Sequence, residues 1–220
     1  MPVWEIIGPV MVGPSSSHTA GAAHIGRIVR MCWGGEIKKA ALYMRGSFAS
    51  TGAGHGTDKA LVAGLMGMAQ DDPGIRRAFE LAREAGMEFE FHVEEVAGAH
   101  PNSVRVVVEG DGRTMEAVGY SIGGGAVLLH KLDGFQVDIS CALPAVIIMN
   151  KDVQGVVSAV TSYLSAHGVN IATMRLHRDS RGGLATMVIE LDPAGAGVDT
   201  EVMRNMHPGI VRVIKIEGED

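Results

Sequence analysis

The sequence predicts an α+β chain built as two domains, and three observations carry that prediction. Helix-period and strand-period segments alternate through the first third of the chain and then give way to consecutive strand-like runs, the pattern of helices packed on one sheet. From Pro144 onward the signals run in the order βαββαβ. The 220 residues, 46% of them hydrophobic, suit two modest cores better than one large one. The expected domains are residues 1–140 and 144–220.

In the first domain, Gly13-Pro14-Ser15-Ser16-Ser17-His18-Thr19 sets four hydroxyls and one imidazole directly ahead of a helical pattern. Such a place holds anions. The first amides of a helix lack intrahelical partners, the macrodipole adds about half a positive charge, and Ser or Thr caps supply further hydrogen bonds. A small carboxylate or a phosphate fits. Ala20 to Trp33 then puts Ile25, Ile28, Val29 and Cys32 at helical spacing, and Gly34-Gly35 ends the helix. Glu36 to Arg45 reads as a strand, Gly46 to Gly56 as a glycine-rich loop, and Thr57 to Ala69 as a second helix rich in Ala, Leu and Met. A third helix follows Asp71-Asp72-Pro73, runs to Ala85 and is closed by Gly86. Met87 to Val93, Ser103 to Glu109 and Thr114 to Tyr120 read as strands, the last reaching a loop at Ser121-Ile122-Gly123-Gly124-Gly125.

In the second domain, Ala145 to Met149 is a short apolar, β-branched run, followed by a turn from Asn150 to Gly155 and a helix to His167. Val169 to Leu176 and Ala185 to Leu191 are strands flanking the turn Ser180-Arg181-Gly182-Gly183. Thr200 to Met206 is a short helix, and Ile210 to Ile216 a final alternating strand. This order is a ferredoxin-like split. Asp152-Val153-Gln154-Gly155 ahead of its first helix, with Asn170-Ile171 opening the next strand, resembles the amino-acid-sensing ACT domain.

Composition excludes several functions. The 19 basic and 25 acidic residues give a net charge of −6, and no Lys/Arg run is long enough to track a phosphate backbone, so nucleic acid is not an expected partner. No window reaches the roughly 18 apolar residues a membrane span needs, and Met1 to Val12 shows neither a basic leader nor a small-residue cleavage site. The chain therefore reads as cytoplasmic. Cys32 and Cys141 are too few for a disulfide framework or a metal cage and read as buried thiols. His24, His92, His130, His167, His177 and His207 share no ligand spacing, and the 13 methionines read as core filler.

Four strings in one order make the strongest signal: Gly13 to Thr19, Gly54-His55-Gly56-Thr57-Asp58, His100-Pro101-Asn102-Ser103 and Ser121-Ile122-Gly123-Gly124-Gly125. Together they closely resemble the β subunit of bacterial iron-sulfur L-serine dehydratase, a likeness that extends over essentially the whole chain. The resemblance implies a lyase that acts only with a separate α subunit, whose cysteines hold a [4Fe-4S] cluster; no metal ligand is expected in this chain. It implies loss of water from L-serine, a base taking the α-proton while a Lewis acid takes the β-hydroxyl. The product enamine hydrolyses to pyruvate and ammonium, a step of amino-acid catabolism that feeds gluconeogenesis. By position in the motifs His55 is the leading base, with His18 as its competitor. Ser15, Ser16, Ser17 and Thr19 are expected to donate to the substrate carboxylate, and Gly54 and Gly56 to let backbone approach it. Thr57 and Asp58 complete the substrate set, while His100, Asn102 and Ser103 close the pocket or orient the imidazole. In the ACT-like domain, Asp152, Gly155, Asn170 and Ile171 are the expected effector site, and pairing of that domain with a second copy is a family expectation.

Each string also has a plainer reading. A Ser-rich turn before a helix is often only a cap, and a His between glycines only a solvated loop residue. His100-Pro101-Asn102 makes an ordinary turn, Asp58 a favourable helix-start charge, and Gly123 to Gly125 a link between strands. Rival functions are weaker. A serine hydrolase needs a Gly-x-Ser-x-Gly elbow and an orienting acid, and a phosphate-binding NTPase needs the lysine of its glycine loop. A scaffold predicts no small-molecule binding at all. The serious alternative is a non-catalytic serine-sensing module, because the first domain also resembles the allosteric substrate-binding domain of some phosphoglycerate dehydrogenases. Against it stands His55: a sensor needs an anion cradle but has no use for a base.

Overall fold

The computed structural model describes residues 10–193 and 197–218; residues 1–9, most of the stretch searched for a leader, lie outside the described residues. A π-helical turn, Ser16–Ala20, runs without a break into α1 (Gly21–Trp33). The helix buries Ile25, Ile28, Val29, Cys32 and Trp33 and stops where Gly34 turns left-handed at φ +68°. After β1 (Lys39–Arg45) come α2 (Gly46–His55), α3 (Thr57–Leu65), a 3-10 turn (Pro73–Arg77) and α4 (Ala78–Glu84). The Asp72 carboxylate caps that 3-10 turn, accepting from the Gly74 amide at 2.7 Å. The strands β2 (Glu88–Val93), β3 (Asn102–Gly110), β4 (Arg113–Gly123), β5 (Ala126–Leu132) and β6 (Phe135–Ile139) follow. Their order is β2-β1-β3-β4-β5-β6, with β1 parallel to β2 and antiparallel to β3.

Two expectations need correction. Gly46 to Gly56 is not a loop: Gly46–His55 is helix α2. Its glycines argue against a helix by propensity, but tertiary contacts outweigh that preference. Phe48 is fully buried, and the Ser47 and Phe48 amides at the helix start donate to the Pro101 carbonyl at 2.7 and 3.4 Å. Gly46 itself sits at φ +52°, and a Cβ there would stand 2.7 Å from the Pro101 oxygen. Nor is Ser121 to Gly125 a loop throughout, since β4 runs on to Gly123 and the unforeseen β5 begins at Ala126. Val127 and Leu129 are buried with the period-2 signal of a strand, and Leu132 is buried beyond a register shift against β4.

The chain divides into two compact units between Gly134 and Phe135, so that β6 groups with the second. That second unit continues with β7 (Ala145–Lys151), α5 (Val156–Ala166), β8 (Ile171–Arg178), β9 (Leu184–Leu191), α6 (Thr200–Asn205) and β10 (Ile210–Ile216). The sheet order β10-β7-β9-β8 is that of the split βαβ arrangement the sequence predicts. Val146, Ile148, Val160, Leu164, Met187, Ile189 and Met203 form its core. Both cysteines are buried, Cys32 in α1 and Cys141 after β6. Among the described residues no helix is long and apolar enough to cross a membrane.

Candidate active site

The Ser-rich string forms the π-helical turn at the head of α1. Ser15 caps it: its hydroxyl accepts from the His18 amide at 3.1 Å, and its carbonyl takes the amides of both Thr19 and Ala20, at 2.8 and 3.3 Å. Ser16, Ser17 and His18 are half-buried, whereas Thr19 is 2% exposed. The Thr19 hydroxyl donates to the His55 carbonyl at 3.0 Å. Its only proton is thereby spent on tying the turn to the end of α2.

Helix α2 supplies the other side of the site. His18 Nε2 lies 2.9 Å from the Ser47 hydroxyl and 3.2 Å from the Thr51 hydroxyl, while its Nδ1 faces the Ser15 hydroxyl at 3.5 Å. Thr51 gives its own proton to the Ser47 carbonyl at 2.9 Å, so toward His18 it can only accept, which places the imidazole proton on Nε2. Phe48 packs against the same ring, with centroids 5.4 Å apart. Burial, and then the neighbouring His55, hold the His18 pKa below its ordinary value. The rings of His18 and His55 lie 5.0 Å apart.

His55 is held differently. Its Nδ1 lies 3.0 Å from the Thr51 carbonyl one helical turn back; a carbonyl only accepts, so Nδ1 carries the proton and Nε2 keeps its lone pair. Among the described residues nothing bonds to that Nε2. Gly56 takes φ +70° and lets α3 start in a new direction, while around Gly54 and Gly56 an added Cβ would meet nothing within 4 Å. Sequence reasoning missed Ser47 and Thr51 because the segment was read as a loop; on a helix, positions 47, 51 and 55 are spaced four apart and share one face.

The remaining motif residues divide between contact and support. His100 Nδ1 accepts from the Asn102 amide at 3.2 Å, the Ser103 hydroxyl donates to the His100 carbonyl at 2.6 Å, and the Tyr120 ring stacks on the imidazole at a centroid distance of 5.3 Å. Ser103 is fully buried, so its hydroxyl fixes the turn rather than reaching a ligand. Pro101, through its carbonyl, joins this turn to the start of α2. Thr57 is also fully buried, and its hydroxyl has no partner among the described residues. Asp58 is half-buried and accepts from the Lys59 amide at 2.8 Å. Ser121 packs into the notch left by Gly21, where a Cβ would stand 2.1 Å from the Ser121 oxygen. Among the described residues no group of three or more His, Cys, Asp or Glu side chains gathers as a metal site.

In the second unit, the Asp152 carboxylate accepts from the Gly182 amide at 3.0 Å and from Arg178 at 2.9 Å, and these bonds hold it below the usual carboxylate range. Gly155 takes φ +92° at the head of α5. Asn170 donates to Asp192 at 2.8 Å, and Asn170 and Ile171 line a cavity of about 400 Å³ at the end of α5.

A two-unit α+β chain that packs two imidazoles against a cluster of hydroxyls at a helix start has the makings of an anion-binding, proton-transferring enzyme component. Comparison with known proteins gives the particular family. The family described as serine dehydratase beta chain matches residues 5–87. A Bacillus subtilis (strain 168) protein named "Probable L-serine dehydratase, beta chain" is 38% identical over 216 residues, covering 97% of each chain. The "L-serine dehydratase, beta chain" of Peptoniphilus asaccharolyticus is 35% identical over 191 residues, covering 86% of each. A "D-3-phosphoglycerate dehydrogenase" of Bacillus subtilis (strain 168) is 27% identical across 78% of this chain but only 33% of its own length. The chain belongs to the serine dehydratase beta chain family.

Proposed function

We propose that this chain is the β subunit of a two-chain L-serine dehydratase, in which His55 Nε2 takes the α-proton of L-serine. The observation that carries the reading is the tautomer of His55: with Nδ1–H on the Thr51 carbonyl, the lone pair of Nε2 stays open beside the Ser-rich turn. His18 has its nitrogens engaged by Ser15, Ser47 and Thr51, and burial with the neighbouring His55 lowers its pKa in favour of the neutral ring, so it serves as a hydrogen-bonding positioner. Ser16 and Ser17 at the helix start receive the substrate carboxylate. In the reaction the Cα–H proton passes to Nε2, the electron pair of the broken C–H bond becomes the Cα=Cβ bond as the Cβ–O bond breaks, and the departing hydroxide leaves as water once the proton gained by Nε2 is passed on to it. The enamine left behind tautomerises and hydrolyses to pyruvate and ammonium.

The donors this chain gathers are hydroxyls and imidazoles, not the thiolates an iron-sulfur cluster takes, so we assign the [4Fe-4S] ligands to the α subunit. When bound there, the cluster supplies a Lewis acid for the leaving hydroxyl. The second unit serves on this reading as an ACT amino-acid sensor around Asp152, Gly155, Asn170 and Ile171, able to pair with a second copy, in a cytoplasmic enzyme. Similarity to phosphoglycerate dehydrogenase favours a second reading, a regulatory serine sensor, which the open His55 lone pair argues against. The test is reconstitution. The purified chain is expected to show no iron-sulfur absorbance and no pyruvate formation, and both are expected when the α subunit is co-expressed. Activity of the chain alone overturns the division of labour, and serine binding without pyruvate in the complex supports the sensor.

A further inference from the structure

We propose that Thr51 is a positioning residue for the proton transfer, one residue that sets the tautomers of both imidazoles: that of His55 through its carbonyl and that of His18 through its hydroxyl. The proposal rests on the reading of His55 as the base. Thr51 stands one helical turn after Ser47 and one before His55, on the face of α2 that they share. Its carbonyl accepts from His55 Nδ1 at 3.0 Å, which leaves the lone pair on Nε2. Its hydroxyl donates to the Ser47 carbonyl at 2.9 Å and so meets His18 Nε2, 3.2 Å away, with lone pairs alone.

The Thr51 hydroxyl, rather than that of Ser47, decides the His18 tautomer. Ser47 lies closer to Nε2, at 2.9 Å, but its hydroxyl is able to turn, either accepting a proton from that nitrogen or giving one to it. Thr51 has no such choice. A bare Nε2 would set its lone pair against those of Thr51, whereas Nε2–H finds an acceptor in both hydroxyls. The Ser47 proton then has the Thr51 oxygen at 3.3 Å, and the Thr51 proton has the Ser47 carbonyl, so a directed chain runs from His18 to a group that can only accept. At the other edge of the ring, Nδ1 keeps its lone pair toward the Ser15 hydroxyl at 3.5 Å, whose oxygen also accepts from the His18 amide. A proton on Nδ1 would compete for the oxygen that caps the Ser-rich turn. Thr51 is exposed, so its side chain fills no core, and a hydroxyl bonded back to the preceding turn slightly weakens a helix. Helix stability does not account for this hydroxyl; the two imidazoles do.

Heteronuclear NMR of the histidine ring nitrogens in the full chain, at about pH 8 where neutral imidazole prevails, tests this. His18→Gln and His55→Ala assign the two rings by the signals they remove. The unmodified chain is expected to show His18 protonated on Nε2 and His55 on Nδ1. Thr51→Val, which keeps the shape and removes the hydroxyl, is expected to move His18 toward the Nδ1–H form while His55 stays as it was, and Thr51→Ser to restore the original spectrum. In the enzyme assembled with its α subunit, Thr51→Val is expected to lower kcat about threefold to tenfold with little change in KM, the scale of one hydrogen bond, and Thr51→Ser to recover it. The proposal fails if His18 carries its proton on Nδ1 in the unmodified chain, if its tautomer is the same in Thr51→Val, if Thr51→Ser restores neither spectrum nor turnover, or if kcat is unaltered. Thr51→Ala, an exposed helix substitution without a packing cost, repeats the test should Thr51→Val not fold. The ring spectra need no turnover, so a failure of Thr51 is read apart from a failure of His55 as the base.

Discussion

Two imidazoles 5.0 Å apart have opposite assignments because of what their nitrogens touch. His18 is enclosed by hydroxyls, whereas His55 is pinned through Nδ1 and open at Nε2. His55→Ala in the assembled enzyme is expected to lower kcat by about 10² to 10⁴ with little change in KM, the usual contribution of a general base. Steady-state kinetics with L-serine check this, and a kcat near that of the unmodified enzyme removes His55 from the mechanism. The depressed pKa of His18 has a consequence for stability. The unfolded chain takes up the proton near the ordinary value of 6.5 and the folded chain only below it, so stability is complete above that pH and declines as pH falls beneath it. Thermal melts between about pH 7.5 and pH 5.5 are expected to show a falling Tm, with a shallower slope in His18→Gln. Equal slopes would exclude His18 as a source of the acid sensitivity.

At the scale of elements, the site depends on how closely its helices approach. Gly26 and Gly64 let α1 and α3 cross almost backbone to backbone: a Cβ on Gly64 would stand 2.0 Å from the Ala23 carbonyl oxygen, and one on Gly26 2.4 Å from that of Leu61. Gly64→Ala, although favourable by helix propensity, is therefore expected to cost about 1–3 kcal/mol through overpacking, measured by chemical denaturation. No loss of stability would mean that the crossing can open without penalty. Helix α2 depends on contacts outside itself. Its start rests on the Pro101 carbonyl, and its end is tied to the Ser-rich turn by Thr19, so two motifs far apart in sequence brace the helix that carries His55. Periodicity alone found α1 and most of the strands. It missed α2 because small residues and glycines carry no apolar period there, and β5 and β6 because the reading ended at the glycine run.

For the whole molecule, the two units separate chemistry from sensing on the proposed reading. The first unit holds the four motifs, and its sheet carries a charged network in which Glu94 accepts from Arg45 and Arg105, and Arg105 also reaches Glu116. Hydrogen bonds from Arg105, foremost, hold the Glu94 carboxyl below its ordinary range. The second unit encloses its own core and places Asn170 beside a cavity in α5 and β8. Asn170→Ala is expected to change the response of the assembled enzyme to an amino-acid effector while leaving basal turnover in place, as a coupling between separate sites requires. Dose-response curves check it, and an unaltered response assigns the effector elsewhere.

The sequence by itself determined the α+β class, the two-unit plan, the split βαβ order of the second unit and the four strings that mark the site, because periodicity and turn chemistry are local properties of the chain. It took the tertiary fold to make Gly46–His55 a helix, to set Ser47, Thr51 and His55 on one face of it, and to spend the Thr19 hydroxyl proton on the His55 carbonyl. It also decided which imidazole keeps an open nitrogen. These depend on partners tens of residues away: a carbonyl at Pro101, a hydroxyl at Thr19 and the bulk around Phe48 offset what glycine-rich sequence disfavours, and hydrogen-bond geometry places the protons.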